Sequence, residues 1–164
     1  MKTLFLLRHA KAGDEEPPLP DSRRPLTDRG FHDARLVSEA LRQQDLIPEK
    51  IITSDAVRAY TTAFVFLATF EKISDYIVLE NSLYESTVQD YMKVISGIDD
   101  SISSCMIVGH NNTISQVAIE LLKRNFEGMK TSGVLVFTSD AKTWAEFSAS
   151  TCKLVLDLSP SQLR

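Results

Sequence analysis

The apolar positions of the chain form short unbroken runs, and between the runs apolar residues recur at three- and four-residue spacing. Unbroken runs read as strands covered on both faces, since a strand with one wet face alternates polar and apolar residues. Thr3 to Leu7 is the first, Lys50 to Thr53 the second, Tyr76 to Leu79 the third and Cys105 to Val108 the fourth. The stretches between them read as helices. Thr27 is placed to cap one that runs to about Gln44, with Phe31, Ala34, Ser38 and Leu41 on one side. Ala56, Ala59, Tyr60, Ala63, Leu67 and Phe70 make the clearest stripe, with Arg58 off it. Thr87 to Ile95 suits a short helix, and Ile114, Val117, Ala118, Leu121 and Leu122 mark the buried face of another. After Gly128 the pattern turns to strands at Val134 to Thr138, Trp144 to Phe147 and Lys153 to Leu158, with Ser139 to Lys142 as the turn joining the first two. Gly13 to Ser22 holds three prolines and four acids, which forbids regular structure and makes it a loop. Strands alternating with helices imply an α/β fold: a mainly parallel central sheet, helices on both faces, and an antiparallel hairpin near the C-terminus.

Length and charge narrow the picture. The 164 residues fit one domain spanning 1–164. A net charge of -4 argues against nucleic acid or anionic membrane as a partner. No apolar run approaches the roughly 20 residues that cross a bilayer. Met1 to Leu7 runs straight into Arg8-His9 without a small-residue cleavage site, so it reads as a strand and not a signal peptide. Cys105 and Cys152 are too few for a disulfide framework and are expected to be core thiols of a cytoplasmic protein.

In parallel α/β sheets ligands collect at the carboxyl ends of the strands. Arg8 and His9 follow the first strand directly, and Gly109 and His110 follow the fourth. Arg58 lies in the first turn of the helix after the second strand. Two arginines and two histidines are thus expected at one sheet edge. Guanidinium groups hold two phosphoryl oxygens at once. The helix beginning after His110, with Asn111, Asn112 or Thr113 as its cap, adds backbone N–H groups and a positive dipole end. Neutral imidazole is a nucleophile near pH 7 and can carry a phosphoryl group covalently.

These residues resemble a known family. Leu6-Leu7-Arg8-His9-Ala10 is similar to the Arg-His-Gly signature of the histidine phosphatase superfamily, in the Arg-His-Ala form found in its SixA-type branch. Pro25-Leu26-Thr27-Asp28-Arg29-Gly30 resembles the opening of that family's first helix. Thr53-Ser54-Asp55-Ala56-Val57-Arg58-Ala59-Tyr60-Thr61-Thr62-Ala63 resembles its Ser-x-x-x-Arg-Ala-x-x-Thr-Ala motif, and Leu83-Tyr84-Glu85 and Val108-Gly109-His110-Asn111 follow in order. The resemblance implies the phosphoglycerate mutase-like fold. It makes His9 the nucleophile and Arg8, Arg58 and His110 the groups that bind and stabilise the phosphoryl oxygens. Glu85 is the general acid and base it implies, with Asp14, Glu15 and Asp55 as rivals, because Asn111 stands where some relatives carry the acid. Ala10 departs from the family's commoner glycine.

The remaining candidates read as bland. His32 lies inside a helix, away from any strand end; Lys11, Arg23 and Arg24 read as solvated charge. Neither cysteine is followed at the spacing of a cysteine phosphatase by arginine, there is no phosphate-binding Gly-x-x-x-x-Gly-Lys loop, and no His/Asp cluster has metal-ligand spacing. No metal or cofactor is therefore expected. The resemblance implies phosphohistidine in a protein, such as a histidine phosphotransfer domain, as substrate. A small phosphorylated metabolite is the alternative, and a phospho-ligand binding module without turnover is the reading from another class.

Overall fold

The structure is a computed structural model that describes residues 1–164. Six strands form one sheet: β1 (Lys2–Arg8), β2 (Lys50–Thr53), β3 (Ile77–Leu79), β4 (Ser104–Gly109), β5 (Val134–Ser139) and β6 (Cys152–Leu158). Their order across the sheet is β3-β2-β4-β1-β5-β6. The first four are mutually parallel, β5 runs antiparallel to β1, and β6 antiparallel to β5. β1 and β4 pair in the middle with Arg8 opposite Gly109, which brings the residues that follow each to one edge.

Alternate side chains of β1 enter different cores, as the two-residue strand period requires. Phe5 and Leu7 pack under α1 (Asp28–Gln43) and α2 (Val57–Thr69), while Leu4 and Leu6 pack under α3 (Val88–Ser96) and α4 (Thr113–Leu122). The helices therefore cover both faces. Thr27 caps α1 by accepting the Gly30 N–H at 3.0 Å, and Thr87 with Asp90 forms a reciprocal capping box on α3.

Five expectations need correction. Trp144 to Phe147 is not a strand: Trp144–Glu146 is a single 3₁₀ turn. It turns Trp144 wholly into the core, where its indole N–H finds the Ile102 carbonyl at 2.8 Å. A buried indole N–H needs such an acceptor. Ser139 to Lys142 consequently leads into that turn, and the hairpin is closed by β5 and β6 alone. Arg58 is not off the buried side of α2 but shares it with Ala59, Thr62, Ala63, Phe66 and Leu67. Cys105 is a core thiol, whereas Cys152 is only half-buried; both are free. The Gly13 to Ser22 loop also ends in a 3₁₀ turn, Asp21–Arg23, and its base is closed by pairing of Ala12 with Leu26.

Candidate active site

The carboxyl ends of β1 and β4 deliver His9 and His110 with ring centroids 5.1 Å apart. Both are nearly buried, as is Arg58 from the first turn of α2. Backbone bonds tie the two strand ends together. The His9 N–H donates to the Gly109 carbonyl, and the Ser132 N–H is shared between the carbonyls of Arg8 and His9. The Arg8 guanidinium donates to the Met129 carbonyl at 2.8 Å. Thr62, one turn along α2 from Arg58, accepts the Ala10 N–H at 2.9 Å and ties α2 to the strand end.

His9 Nδ1 lies 2.7 Å from the Ala10 carbonyl oxygen. A carbonyl only accepts, so Nδ1 carries the ring proton and Nε2 keeps its lone pair. Burial, with the charges of His110, Arg58 and Arg8, pushes the His9 pKa down to about 3 against the single opposing pull of the Ala10 carbonyl. Burial and the arginines likewise lower His110 to about 4. Both rings are neutral at pH 7. The cluster therefore offers an unprotonated imidazole nitrogen beside two permanent positive charges, a setting for an incoming phosphoryl group.

The sequence reading missed Asp21. Its carboxylate accepts from Arg58 at 3.0 Å and from the Tyr84 hydroxyl at 2.6 Å, while Arg58 also donates to the Asp21 carbonyl at 2.7 Å. The Tyr84 hydroxyl, then Arg58 and Arg24, hold the Asp21 carboxyl well below the usual carboxylate range. The same contact raises the Tyr84 hydroxyl to about 12. Asp21 is in a proline-flanked loop that carries no periodic signal, so only chain folding reveals its partner. Tyr84 was legible within the Leu-Tyr-Glu segment but had no assigned role; its ring stands edge-on to His110, centroids 5.4 Å apart.

Glu85 is exposed and has a positive φ of 49°. It lines a cavity of about 250 Å³ together with Arg58, Tyr84, His110 and Asn111. Its rivals Asp14, Glu15 and Asp55 are exposed too but do not line that cavity, and Asp14 pairs with Arg24 at 3.4 Å. Arg24 is not free charge, because it also donates to Asp21 and to the Gly13 carbonyl and so staples the loop. Lys11, Arg23 and His32 are exposed. Asn112 occupies the cap position of α4 without a side-chain bond, and Thr113 donates instead to the Ser86 carbonyl at 2.9 Å. No three His, Cys, Asp or Glu side chains gather where they could hold a metal ion, and no helix is long and apolar enough to cross a membrane.

A cluster of two neutral histidines and two arginines at the carboxyl ends of parallel strands defines a phosphoryl-handling class. The family model of the histidine phosphatase superfamily (branch 1) matches residues 4–93, and the chain belongs to that superfamily and to its phosphatases. Within it the chain is of the SixA type. It is similar over 97% of its length to the crystal structure of a protein assigned as phosphohistidine phosphatase SixA from Agrobacterium tumefaciens, with TM-score 0.84, 25% identity and 98% of that chain covered. An uncharacterized protein of Mycobacterium leprae is 29% identical over 161 residues, 91% of this chain and 96% of its own. The fold is shared as well by mycobacterial glucosyl-3-phosphoglycerate phosphatase, at TM-score 0.66 and 16% identity over 95% of this chain and 98% of the other.

Proposed function

We propose that the whole chain acts as one metal-independent catalytic domain that removes phosphate from phosphohistidine in a protein, through a covalent phosphoryl intermediate on His9. The observation that carries this reading is the His9 ring: Nδ1–H is committed to the Ala10 carbonyl, and Nε2 is left as the nucleophile. Nε2 attacks phosphorus, a new N–P bond forms, and the bond to the leaving imidazole breaks. Arg8, Arg58 and His110 hold the phosphoryl oxygens as charge shifts among them. Water then attacks, the N–P bond to His9 breaks, phosphate departs and His9 regains its neutral form.

The acid supply favours this substrate. Asp21 is held ionised, and Glu85 stands exposed on the cavity rim. A poor alkoxide leaving group requires a buried, protonated acid; Asp21 is ionised, and Glu85 is not buried. A phosphoimidazole needs less, since a protonated imidazole leaves readily. Glu85 is assigned to activating the water in the second step. The partner is then a phosphorylated protein such as a histidine phosphotransfer domain. The free thiols Cys105 and Cys152 suit a reducing compartment, where we place the enzyme: the cytoplasm.

A second reading, a phosphatase of small phosphomonoesters, is favoured by the cavity of about 250 Å³ beside His110 and by the fold shared with a glucosyl-3-phosphoglycerate phosphatase. Rapid-quench transfer from a labelled phosphohistidine protein separates them. Wild type should show transient acid-labile phosphorylation by intact mass and release phosphate, and His9→Ala should show neither while remaining folded. Turnover retained in His9→Ala excludes the covalent route. No labelling from that donor, with hydrolysis of a sugar phosphate, moves the substrate to small esters. Binding without release from either would leave a phospho-ligand module.

A further inference from the structure

Ser54 follows β2 and is fully buried. Its N–H donates to the Val108 carbonyl, which fixes it against β4 just short of His110. Its hydroxyl has two neighbours: the Ala56 N–H at 3.2 Å and His110 Nε2 at 2.8 Å. An amide N–H only donates, so Ala56 takes one lone pair of Oγ. The hydroxyl proton must then find an acceptor, because a buried donor left unpaired is costly. His110 Nε2 is the acceptor within reach.

We propose that Ser54 is a positioning residue that fixes the tautomer of His110: Ser54 Oγ–H donates to Nε2, and the ring's single proton resides on Nδ1. His110 Nδ1 is buried and has no partner among the protein's groups. Its N–H is therefore a donor held in reserve, completed by a phosphoryl oxygen carried on His9, whose ring centroid lies 5.1 Å away. The opposite tautomer would leave the Ser54 proton orphaned and turn a lone pair at Nδ1 toward phosphoryl oxygens, where it repels. The depressed His110 pKa agrees, since a ring neutral at pH 7 has one proton to place.

The consequence rests on the reading of His110 as a phosphoryl-binding group, but the tautomer itself does not. Ser54→Ala removes the hydroxyl without adding bulk and frees His110 to populate both tautomers. It also deprives the Ala56 N–H of its acceptor, which costs stability, so its fold is checked by circular dichroism first. Its kcat/KM on a phosphohistidine donor should fall on the order of tenfold, the effect of weakening one buried hydrogen bond to a charged group. A merely structural serine could produce a similar loss, so the deciding readout is the ¹⁵N spectrum of the histidine rings at pH 7. Wild type should show His110 protonated at Nδ1 with Nε2 as acceptor, and Ser54→Ala should shift signal toward the Nε2–H form. An Nε2–H tautomer in wild type overturns the proposal, and so does an unaltered Nδ1–H tautomer in Ser54→Ala. If the tautomer responds as stated but neither protein releases phosphate, the assignment of Ser54 stands and the proposed function fails.

Discussion

At the scale of single residues, protonation is set by acceptors that cannot donate. The Ala10 carbonyl forces the His9 proton onto Nδ1, and both imidazoles are kept neutral by burial beside Arg8 and Arg58. Asp21 is the counterweight, a loop carboxylate seated on the guanidinium that the reading assigns to phosphate. A phosphoryl group has to share Arg58 with it or displace it. Asp21→Asn keeps an acceptor for Tyr84 but removes the competing charge. Inorganic phosphate should then inhibit on the order of fivefold more tightly, the worth of a half-exposed charge contact. Product-inhibition kinetics check this, and unchanged or weaker inhibition would mean that Asp21 orients Arg58 instead of competing for it.

At the scale of elements, the site depends on how closely β4 and α3 approach. A Cβ on Gly109 would overlap the Tyr91 hydroxyl, which accepts the His110 N–H at 3.0 Å and donates to the Leu83 carbonyl at 3.1 Å. Tyr91 is fully buried, and burial raises its hydroxyl to about 12, so it remains a neutral link between the β4 end and the segment carrying Tyr84 and Glu85. Gly109→Ala should cost about 1–3 kcal/mol through overpacking and should displace His110. The expected outcome is a lower thermal midpoint with a larger loss of turnover than the instability explains, measured by calorimetry and by activity well below the transition. Gly30 plays a comparable part at the start of α1, where a Cβ would overlap the Lys11 carbonyl.

At the scale of the whole molecule, stability and the site share the same histidines. Folded His9 and His110 titrate near 3 and 4, against 6.5 for an unperturbed ring. Between pH 6.5 and about 3 the unfolded chain holds protons that the folded chain does not, His110 contributing down to about 4 and His9 down to about 3. Stability therefore declines as pH falls through that window, and is fully regained above it. Urea midpoints measured across this range should show the slope, and replacing both His9 and His110 by Asn should flatten it. An unchanged slope in the double variant would assign the pH dependence to other groups.

The amino-acid sequence was enough to specify the alternation of strand and helix, the parallel core of the sheet and the convergence of Arg8, His9, Arg58 and His110. It did so because unbroken apolar runs and three- and four-residue stripes are local signals, and because strand ends in a parallel sheet share an edge. It could not place Trp144, whose fate turned on an acceptor at Ile102, 42 residues earlier in the chain. Nor could it show that Arg58 is buried, since its partner Asp21 lies 37 positions away in the chain. Asp21 with Tyr84 and Ser54 with His110 are pairs separated by 63 and 56 positions. Such contacts have no period in sequence. Folding selects them, because a buried polar group must take whatever partner the fold brings within about 3 Å.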